Sequence, residues 1–112
     1  MNKILILLTL LLSLPTFAGN YYGKIVRMEF GPAYGDIVHI WLPKPPDNKP
    51  ECAVNANGYY FSFDSSTKIG EKIFSTLLAA QRSNTSVFLV GTGACSYWRK
   101  ETEDLSWIQS YQ

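Results

Sequence analysis

The sequence has little from which a catalytic or metal centre could be built. His39 is the only histidine, and Cys52 and Cys95 are the only cysteines. A zinc site needs three or four ligands of the His, Cys, Asp or Glu kind. His39 stands among Val38, Ile40 and Trp41, which predicts a packed, hydrogen-bonded histidine rather than a general base. We therefore expect no metal, no cofactor and no catalytic residues, and a protein that is not an enzyme.

An excess of charge of one sign is also missing. Ten Lys and Arg residues stand against nine Asp and Glu residues, and without Lys3 the two counts are equal. Nucleic-acid-binding domains take much of their affinity from a basic surface, so we expect no nucleic-acid partner. Three carboxylates, Glu101, Glu103 and Asp104, stand close together. Nothing apolar beside them would raise a pKa, so this pattern predicts a solvated surface rather than an acid–base pair.

The first eighteen residues have the pattern of an export signal. Lys3 precedes an uncharged apolar run over residues 4–14, and Ala18 supplies the small residue that a signal peptidase needs. The run is too short to span a bilayer comfortably, although a buried or membrane-anchoring helix is the alternative interpretation. We expect cleavage after Ala18. Residues 1–18 would then be a signal peptide, and residues 19–112 a single periplasmic or secreted domain with no membrane span.

The two cysteines lie in the predicted exported part of the chain. An oxidising compartment favours a disulfide between Cys52 and Cys95. The bond would close a loop of about 44 residues and stabilise the fold by roughly 4 kcal/mol in the chain-entropy model. The alternative, a redox or nucleophilic cysteine, lacks the support of a C-x-x-C motif.

One segment, residues 66–83, has the period of a helix. Ile69, Ile73, Leu77 and Ala80 recur at three- and four-residue spacing, and Phe74 and Leu78 widen the stripe. Short strands are predicted at residues 21–30, 37–42, 58–63, 85–91 and 105–111, with an exposed proline loop at residues 43–50. Three strands, a helix and two strands predict a mainly β chain. We therefore expect a five-stranded OB-fold-like Greek-key barrel with one α-helix between strands 3 and 4.

Two tyrosine pairs are the best indication of a binding surface. Neighbouring residues of a strand face opposite ways, so at least one ring of Tyr21–Tyr22 and of Tyr59–Tyr60 is expected to meet solvent or a partner. An exposed tyrosine offers an apolar face and a hydroxyl, which suits sugars and protein interfaces. The alternative for any one ring is that it lies along the barrel wall.

This layout resembles the small exported OB-fold proteins related to the B subunits of subtilase- and pertussis-type AB5 toxins. The resemblance spans residues 21–95 and is strongest over residues 73–90, which hold the helix segment 74–81 and the strand segment 86–90. It implies a pentameric ring that binds sialylated glycans. In that family an aromatic residue and a serine near the first strand contact the sugar; Tyr22 and Gly23, preceded by Tyr21, occupy the matching place here.

We therefore expect a non-enzymatic exported binding module, similar to an AB5 toxin B subunit, with a glycan or protein ligand and a homo-pentameric assembly. The candidate ligand-binding residues are Tyr21, Tyr22, Gly23, Tyr59 and Tyr60. The alternative is a monomeric periplasmic accessory or inhibitor protein. Its contact surface for a protein partner would be the proline loop together with Tyr59 and Tyr60.

Overall fold

The computed structural model describes residues 17–55 and 57–111. This part of the chain is mainly β, with six strands and one helix. The strands are β1 (Asn20–Gly23), β2 (Arg27–Glu29), β3 (Ile37–Trp41), β4 (Tyr59–Asp64), β5 (Val87–Gly91) and β6 (Glu103–Ser110), and helix α1 is Lys68–Ser83. The predicted signal run at residues 4–14 lies outside the described residues.

The six strands form one mixed sheet in the order β1-β5-β6-β4-β3-β2. The pair β4–β6 is parallel, and every other neighbouring pair is antiparallel. The consecutive strands β2 and β3 form an antiparallel hairpin. The long strand β6 joins the two halves of the sheet, because it pairs with β5 along most of its length and with β4 at its start.

The predicted five-stranded OB-fold-like barrel is wrong in strand count, because the structure has six strands in an open sheet. The segment predicted as one strand, residues 21–30, is two strands separated by residues 24–26. The interruption has a local cause: the Tyr21 hydroxyl donates to the carbonyl of Lys24 at 2.5 Å, and Gly23 has a φ of +149° that a side chain would strain. Helix α1 consequently follows the fourth strand rather than the third.

The sheet nevertheless curls back on itself. Its two edge strands, β1 and β2, are joined by residues 24–26 alone. Four Cα–Cα steps span at most about 15 Å, whereas the edges of a flat six-stranded sheet would lie about 24 Å apart. The edges are therefore drawn together, and the concave side of the sheet encloses the core.

Helix α1 lies on this core with the face formed by Ile73, Leu77 and Ala80, as the periodicity predicts. Ile69, predicted on the same stripe, is exposed. Gly70 is buried there instead, and a Cβ at this position would lie 2.0 Å from the carbonyl oxygen of Asp64. The first turn thus packs its backbone against the end of β4, which leaves no room for a larger side chain.

The core consists of inward-facing residues from the strands, the helix and the segment that links the edges. Most of its members are fully or nearly fully buried: Tyr21, Ile25, Val38, Ile40, Leu42, Phe61, Phe63, Val87, Leu89 and Leu105. The predicted disulfide is confirmed, with Cys52 and Cys95 bonded at a Cα–Cα distance of 6.0 Å. It ties the loop before β4 to the connection between β5 and β6.

Candidate functional site

An open cleft of about 390 Å³ lies on the outer face of β3 and β4. Three chain segments contribute its walls: the turn between β2 and β3, the loop before β4, and the connection between β5 and β6. We call it the aromatic cleft. Its lining consists of Ala33, Tyr34, His39, Asn55, Asn57, Tyr59, Trp98, Arg99, Glu101 and Thr102.

Four rings form a connected floor and wall of the aromatic cleft. Tyr34 meets the His39 ring edge-on at 4.9 Å between centroids and meets Trp98 edge-on at 5.3 Å. His39 in turn lies 5.2 Å from the ring of Tyr59. Because each ring is held by a neighbouring ring, their faces and edges are fixed before any ligand arrives.

A β-bulge decides which tyrosine of the pair Tyr59–Tyr60 reaches the cleft. The register of β3 and β4 shifts between Ile40 and Trp41, so Trp41 pairs with Tyr59 and leaves Tyr60 unpaired. Tyr59 therefore lies on the outer face, edge-on to Trp41 at 4.3 Å, while Tyr60 packs against the core. Strict alternation along the sequence predicts the reverse, with Tyr59 on the core face and Tyr60 on the outer face. The bulge shifts the period by one residue and so exchanges the two faces.

A carboxylate on β2 braces two of the rings. Glu29 accepts hydrogen bonds from the Tyr34 hydroxyl at 2.6 Å and from the Tyr59 hydroxyl. These bonds hold the pKa of Glu29 below its usual value. Burial and the bond to Glu29 raise the pKa of Tyr59, and the same carboxylate raises the pKa of Tyr34. At neutral pH Glu29 is thus ionised, both phenols keep their protons, and the two rings are locked in place.

His39 is packed and hydrogen-bonded, as its apolar surroundings predict. Only 1% of its surface is exposed, and its Nδ1 lies 2.9 Å from the Oγ of Ser62. Burial lowers its pKa, which keeps the imidazole neutral at neutral pH, while the charge of Glu29 opposes that shift. Its Nε2 has no hydrogen-bond partner among the described residues. Because Nε2 is itself buried, it is shielded from solvent, although His39 belongs to the lining of the cleft.

The far wall of the cleft is a short irregular turn, Trp98–Lys100. Arg99 and Lys100 have φ angles of +56° and +54°, a left-handed conformation that non-glycine residues adopt only at a cost. The turn is held in place by the disulfide at Cys95 and by a hydrogen bond from the N–H of Asn55 to the carbonyl of Glu101 at 3.1 Å. The two loop walls of the cleft are therefore linked to each other.

The other predicted binding residues lie elsewhere, on edge strand β1. Tyr21 belongs to the core and is only 4% exposed, whereas Tyr22 is 57% exposed. Gly23 cannot be replaced by serine without strain, because a Cβ there would lie 2.6 Å from the Tyr21 hydroxyl oxygen. β1 is three positions away from β4 in the sheet order, so the structure does not bring the two tyrosine pairs into one site.

Tyr22 belongs instead to a second surface feature, which we call the outer aromatic patch. It consists of Tyr22, Phe88, Trp107 and Tyr111. Tyr22 meets Tyr111 edge-on at 5.2 Å, and Phe88 stacks on Trp107 at 5.6 Å. Trp107 is 46% exposed. The patch therefore presents apolar rings to solvent on the outer face of β1, β5 and β6, although such rings are costly to leave in water.

The predicted solvated carboxylate surface is wrong for two of its three members. Glu103 is fully buried, and Asp104 is 8% exposed. Asp104 accepts a hydrogen bond from the N–H of Ser96 at 2.8 Å. Both residues belong to the start of β6, and the parallel pairing with β4 carries this segment into the interior. Glu101 alone of the three lines the cleft.

Sequence reasoning missed most of the cleft. Tyr34, Trp98 and Arg99 stand in polar loops far apart in the chain, and only the strand order brings them together. One signal in the sequence could have indicated them. Tyr34 and Trp98 stand in segments otherwise rich in turn-forming and charged residues, and an aromatic ring in such a surface loop is not placed there by core packing. Within residues 17–55 and 57–111 no three His, Cys, Asp or Glu side chains are grouped as a metal site. The same ranges contain no helix long and apolar enough to cross a membrane.

A fold can carry many unrelated functions, so the function of this site is indicated by the geometry of its residues and not by the fold. The aromatic cleft offers ring faces, ring edges, two amides and one guanidinium around a neutral histidine. Comparison of the chain with models of protein families, with curated proteins and with solved structures finds no match.

Proposed function

We propose that the protein is a non-enzymatic, exported binding module that holds a glycan in the aromatic cleft. The observation that carries this proposal is the lining of the cleft: three rings braced by hydrogen bonds and ring contacts, next to the amides of Asn55 and Asn57 and the guanidinium of Arg99. A sugar has apolar C–H faces that pack on rings and hydroxyls that need donors and acceptors. Arg99 adds a partner for the carboxylate of an acidic sugar.

The fold supports the same assignment if the curled sheet is read as an OB-like barrel with an interrupted first strand. In that reading β1 and β2 are two halves of strand 1, and β3, β4, β5 and β6 are strands 2 to 5. OB folds bind oligosaccharides and oligonucleotides on the face of strands 2 and 3 and with the loops after strands 1 and 4. The aromatic cleft occupies this position, with Tyr34 in the first of these loops and Trp98 in the second. This argument is an analogy of fold.

A glycan suits the cleft better than a nucleic acid. The chain carries almost no net charge, and the guanidinium of Arg99 is accompanied by the carboxylate of Glu101 in the lining. A nucleic-acid strand would need several cations along its phosphates. A single guanidinium fits a ligand with at most one or two negative charges, such as a sialylated oligosaccharide.

The test is a glycan array screened with the mature protein, followed by titration of sialyllactose or the best array ligand against two variants. Trp98→Ala removes a ring of the cleft. Trp107→Ala removes a partly exposed ring of the outer aromatic patch and serves as the matched control. We expect Trp98→Ala to weaken binding by about 2 kcal/mol, typical of a central aromatic contact, or roughly 30-fold in Kd. Trp107→Ala should leave Kd unchanged.

Two results would contradict the proposal. One is the absence of glycan retention by folded wild-type protein at millimolar ligand. The other is a reversed pattern, in which Trp107→Ala abolishes retention and Trp98→Ala does not. Circular dichroism on each variant separates a lost contact from a lost fold.

The outer aromatic patch favours a second candidate function, the recognition of a protein surface. The patch has four neighbouring rings, and those of Tyr22, Trp107 and Tyr111 are exposed. Such clusters are characteristic of interface cores, in which aromatic residues are enriched. The partner would be further copies of this chain in a ring or, in the monomeric alternative, a different protein. A native mass spectrum of the mature protein at micromolar concentration distinguishes these: a five-fold mass supports a homo-pentamer, and a monomeric mass leaves a foreign partner. If the patch is the interface, Trp107→Ala should reduce the five-fold species to monomer.

A further inference from the structure

Glu103 is the most deeply buried carboxylate described in the chain. None of its surface is exposed. Its two oxygens accept hydrogen bonds from the backbone N–H of Gly19, at 3.2 Å to Oε1 and 3.0 Å to Oε2, and Oε2 also accepts from the N–H of Gly93 at 2.9 Å. A single N–H of Gly19 is thus shared by both oxygens, an arrangement that leaves acceptor capacity unused.

The site around this carboxylate is shaped by glycines. A Cβ at Gly19 would lie 2.4 Å from Oε1, and a Cβ at Gly91 would lie 2.1 Å from Oε2. No larger residue fits at either position while Glu103 keeps its place. Glycine at these two positions therefore allows the backbone to approach the carboxylate closely.

A cation for this carboxylate is missing from its described surroundings. None of its hydrogen-bond donors is a Lys, Arg or His side chain. Among the described residues, the charge that acts on it is that of Asp104, and burial together with this like charge raises the pKa of Glu103. A buried carboxylate without a counter-charge is costly, and such groups are normally paired.

We propose that the chain is cut between Ala18 and Gly19 and that the new α-ammonium group of Gly19 forms a buried ion pair with Glu103. This proposal rests on the export signal predicted from residues 1–18, and it does not involve the aromatic cleft. Cleavage by a signal peptidase is a hydrolysis. The bond from the Ala18 carbonyl carbon to the Gly19 nitrogen breaks, water leaves a carboxylate on Ala18 and an amine on Gly19, and the amine takes up a proton.

Gly19 keeps its place without the residues before it. Its carbonyl accepts a hydrogen bond from the N–H of Gly91 at 2.9 Å, and the next residue, Asn20, exchanges two backbone hydrogen bonds with Asp47 at 2.9 and 2.8 Å. The nitrogen that already lies about 3 Å from both carboxylate oxygens would change from an amide with one N–H to an ammonium with three. Each oxygen of Glu103 can then have its own charge-assisted donor.

The consequence is that removal of the signal peptide stabilises the folded domain. Before cleavage, Glu103 faces a neutral amide; after cleavage, it faces a cation. The ion pair also makes stability depend on the protonation of the terminus. An amine whose pKa is raised in the folded state stabilises the fold at pH values below its unfolded pKa, about 7.7–8.0. That stabilisation is lost as the pH rises through the folded pKa.

The experiment uses protein exported from the full-length precursor, whose N-terminus is determined by intact mass. Three proteins are compared: the mature protein, its Glu103→Gln variant, and a form that retains Ala18. The first measurement is the rate of α-amino acetylation by acetic anhydride at pH 7.5, read by peptide mapping. At pH 7.5, a rise of one unit from a pKa of about 7.8 lowers the reactive amine fraction about sevenfold, so we expect the mature protein to react at least about sevenfold more slowly than the other two.

The second measurement is urea unfolding between pH 6 and pH 10. The mature protein should lose stability above pH 8 in a step that the Glu103→Gln variant and the Ala18-retaining form both lack. The Ala18-retaining form keeps Glu103, so the comparison stands even if Glu103→Gln does not fold. A processed N-terminus at a residue other than Gly19, or equal acetylation rates in mature and Ala18-retaining protein, would overturn the proposal.

Discussion

Replacing both Cys52 and Cys95 with alanine should destabilise the domain and weaken binding in the aromatic cleft. The two residues are 43 positions apart. In the chain-entropy model a loop of this length is worth about 4 kcal/mol at 25 °C. A domain of this size has a total stability of about 5–15 kcal/mol, so the bond supplies a large part of it. The corresponding fall in Tm is on the order of 20 °C.

The same bond positions the cleft. Cys52 lies in the loop that carries Asn55 and Asn57, and Cys95 lies in the connection between β5 and β6 that carries Trp98. Without the disulfide, these two walls are still joined by the hydrogen bond from the N–H of Asn55 to the carbonyl of Glu101. We therefore expect the double variant to bind a cleft ligand more weakly even at temperatures where it is folded, because the ligand must then order the loops.

The assay is urea unfolding of the Cys52→Ala/Cys95→Ala variant beside wild-type protein that has been reduced and alkylated. Both should lose a similar amount of free energy, and both should keep the far-ultraviolet spectrum of the native protein at low urea. A loss below about 1 kcal/mol in the double variant would refute the reasoning. Such a result would mean that the denatured chain is already compact or that the bond strains the native fold.

Two further predictions concern the helix and the buried histidine. Thr67 caps α1 by accepting a hydrogen bond from the N–H of Gly70 at 2.9 Å. Thr67→Ala should therefore lower the free energy of urea unfolding by about 1 kcal/mol, whereas Thr67→Ser should lower it little. Equal losses of stability in the two variants would contradict the role of Thr67 as a cap. His39 has a lowered pKa in the folded state, so the unfolded chain binds more protons and stability should fall as pH drops below about 6.5. His39→Asn keeps a polar atom near Ser62 and should flatten this dependence between pH 7 and pH 5; an unchanged dependence would show that another group titrates there.

Local sequence signals predicted the elements well where one face of each element is buried. The stripe Ile73, Leu77 and Ala80 identifies α1, and the continuous apolar run at residues 87–90 identifies strand β5. The interruption of the first strand was not predicted. It depends on a hydrogen bond from Tyr21 to the backbone of Lys24 and on the backbone angle of Gly23, neither of which has a periodic signature.

The candidate site was predicted only through Tyr59. Its membership of the cleft depends on the bulge at Trp41, which reverses the face that alternation assigns to it. Trp98 and Tyr34 are 64 positions apart, yet their rings are neighbours, because both loops contribute to the lining of the aromatic cleft on β3 and β4. Contacts of this kind are set by topology and not by any local pattern.

The amino-acid sequence by itself determined the mainly β class, helix α1 and the disulfide, because each follows from residue types at short spacing or from pairing of the only two cysteines. The tertiary structure alone decided that the edges of the sheet approach each other, that the aromatic cleft exists, and that Glu103 is buried against Gly19. The physical reason is that burial and register are properties of the whole packed sheet. A carboxylate in a charged stretch of sequence becomes a core residue once the parallel pairing of β4 and β6 carries it inside.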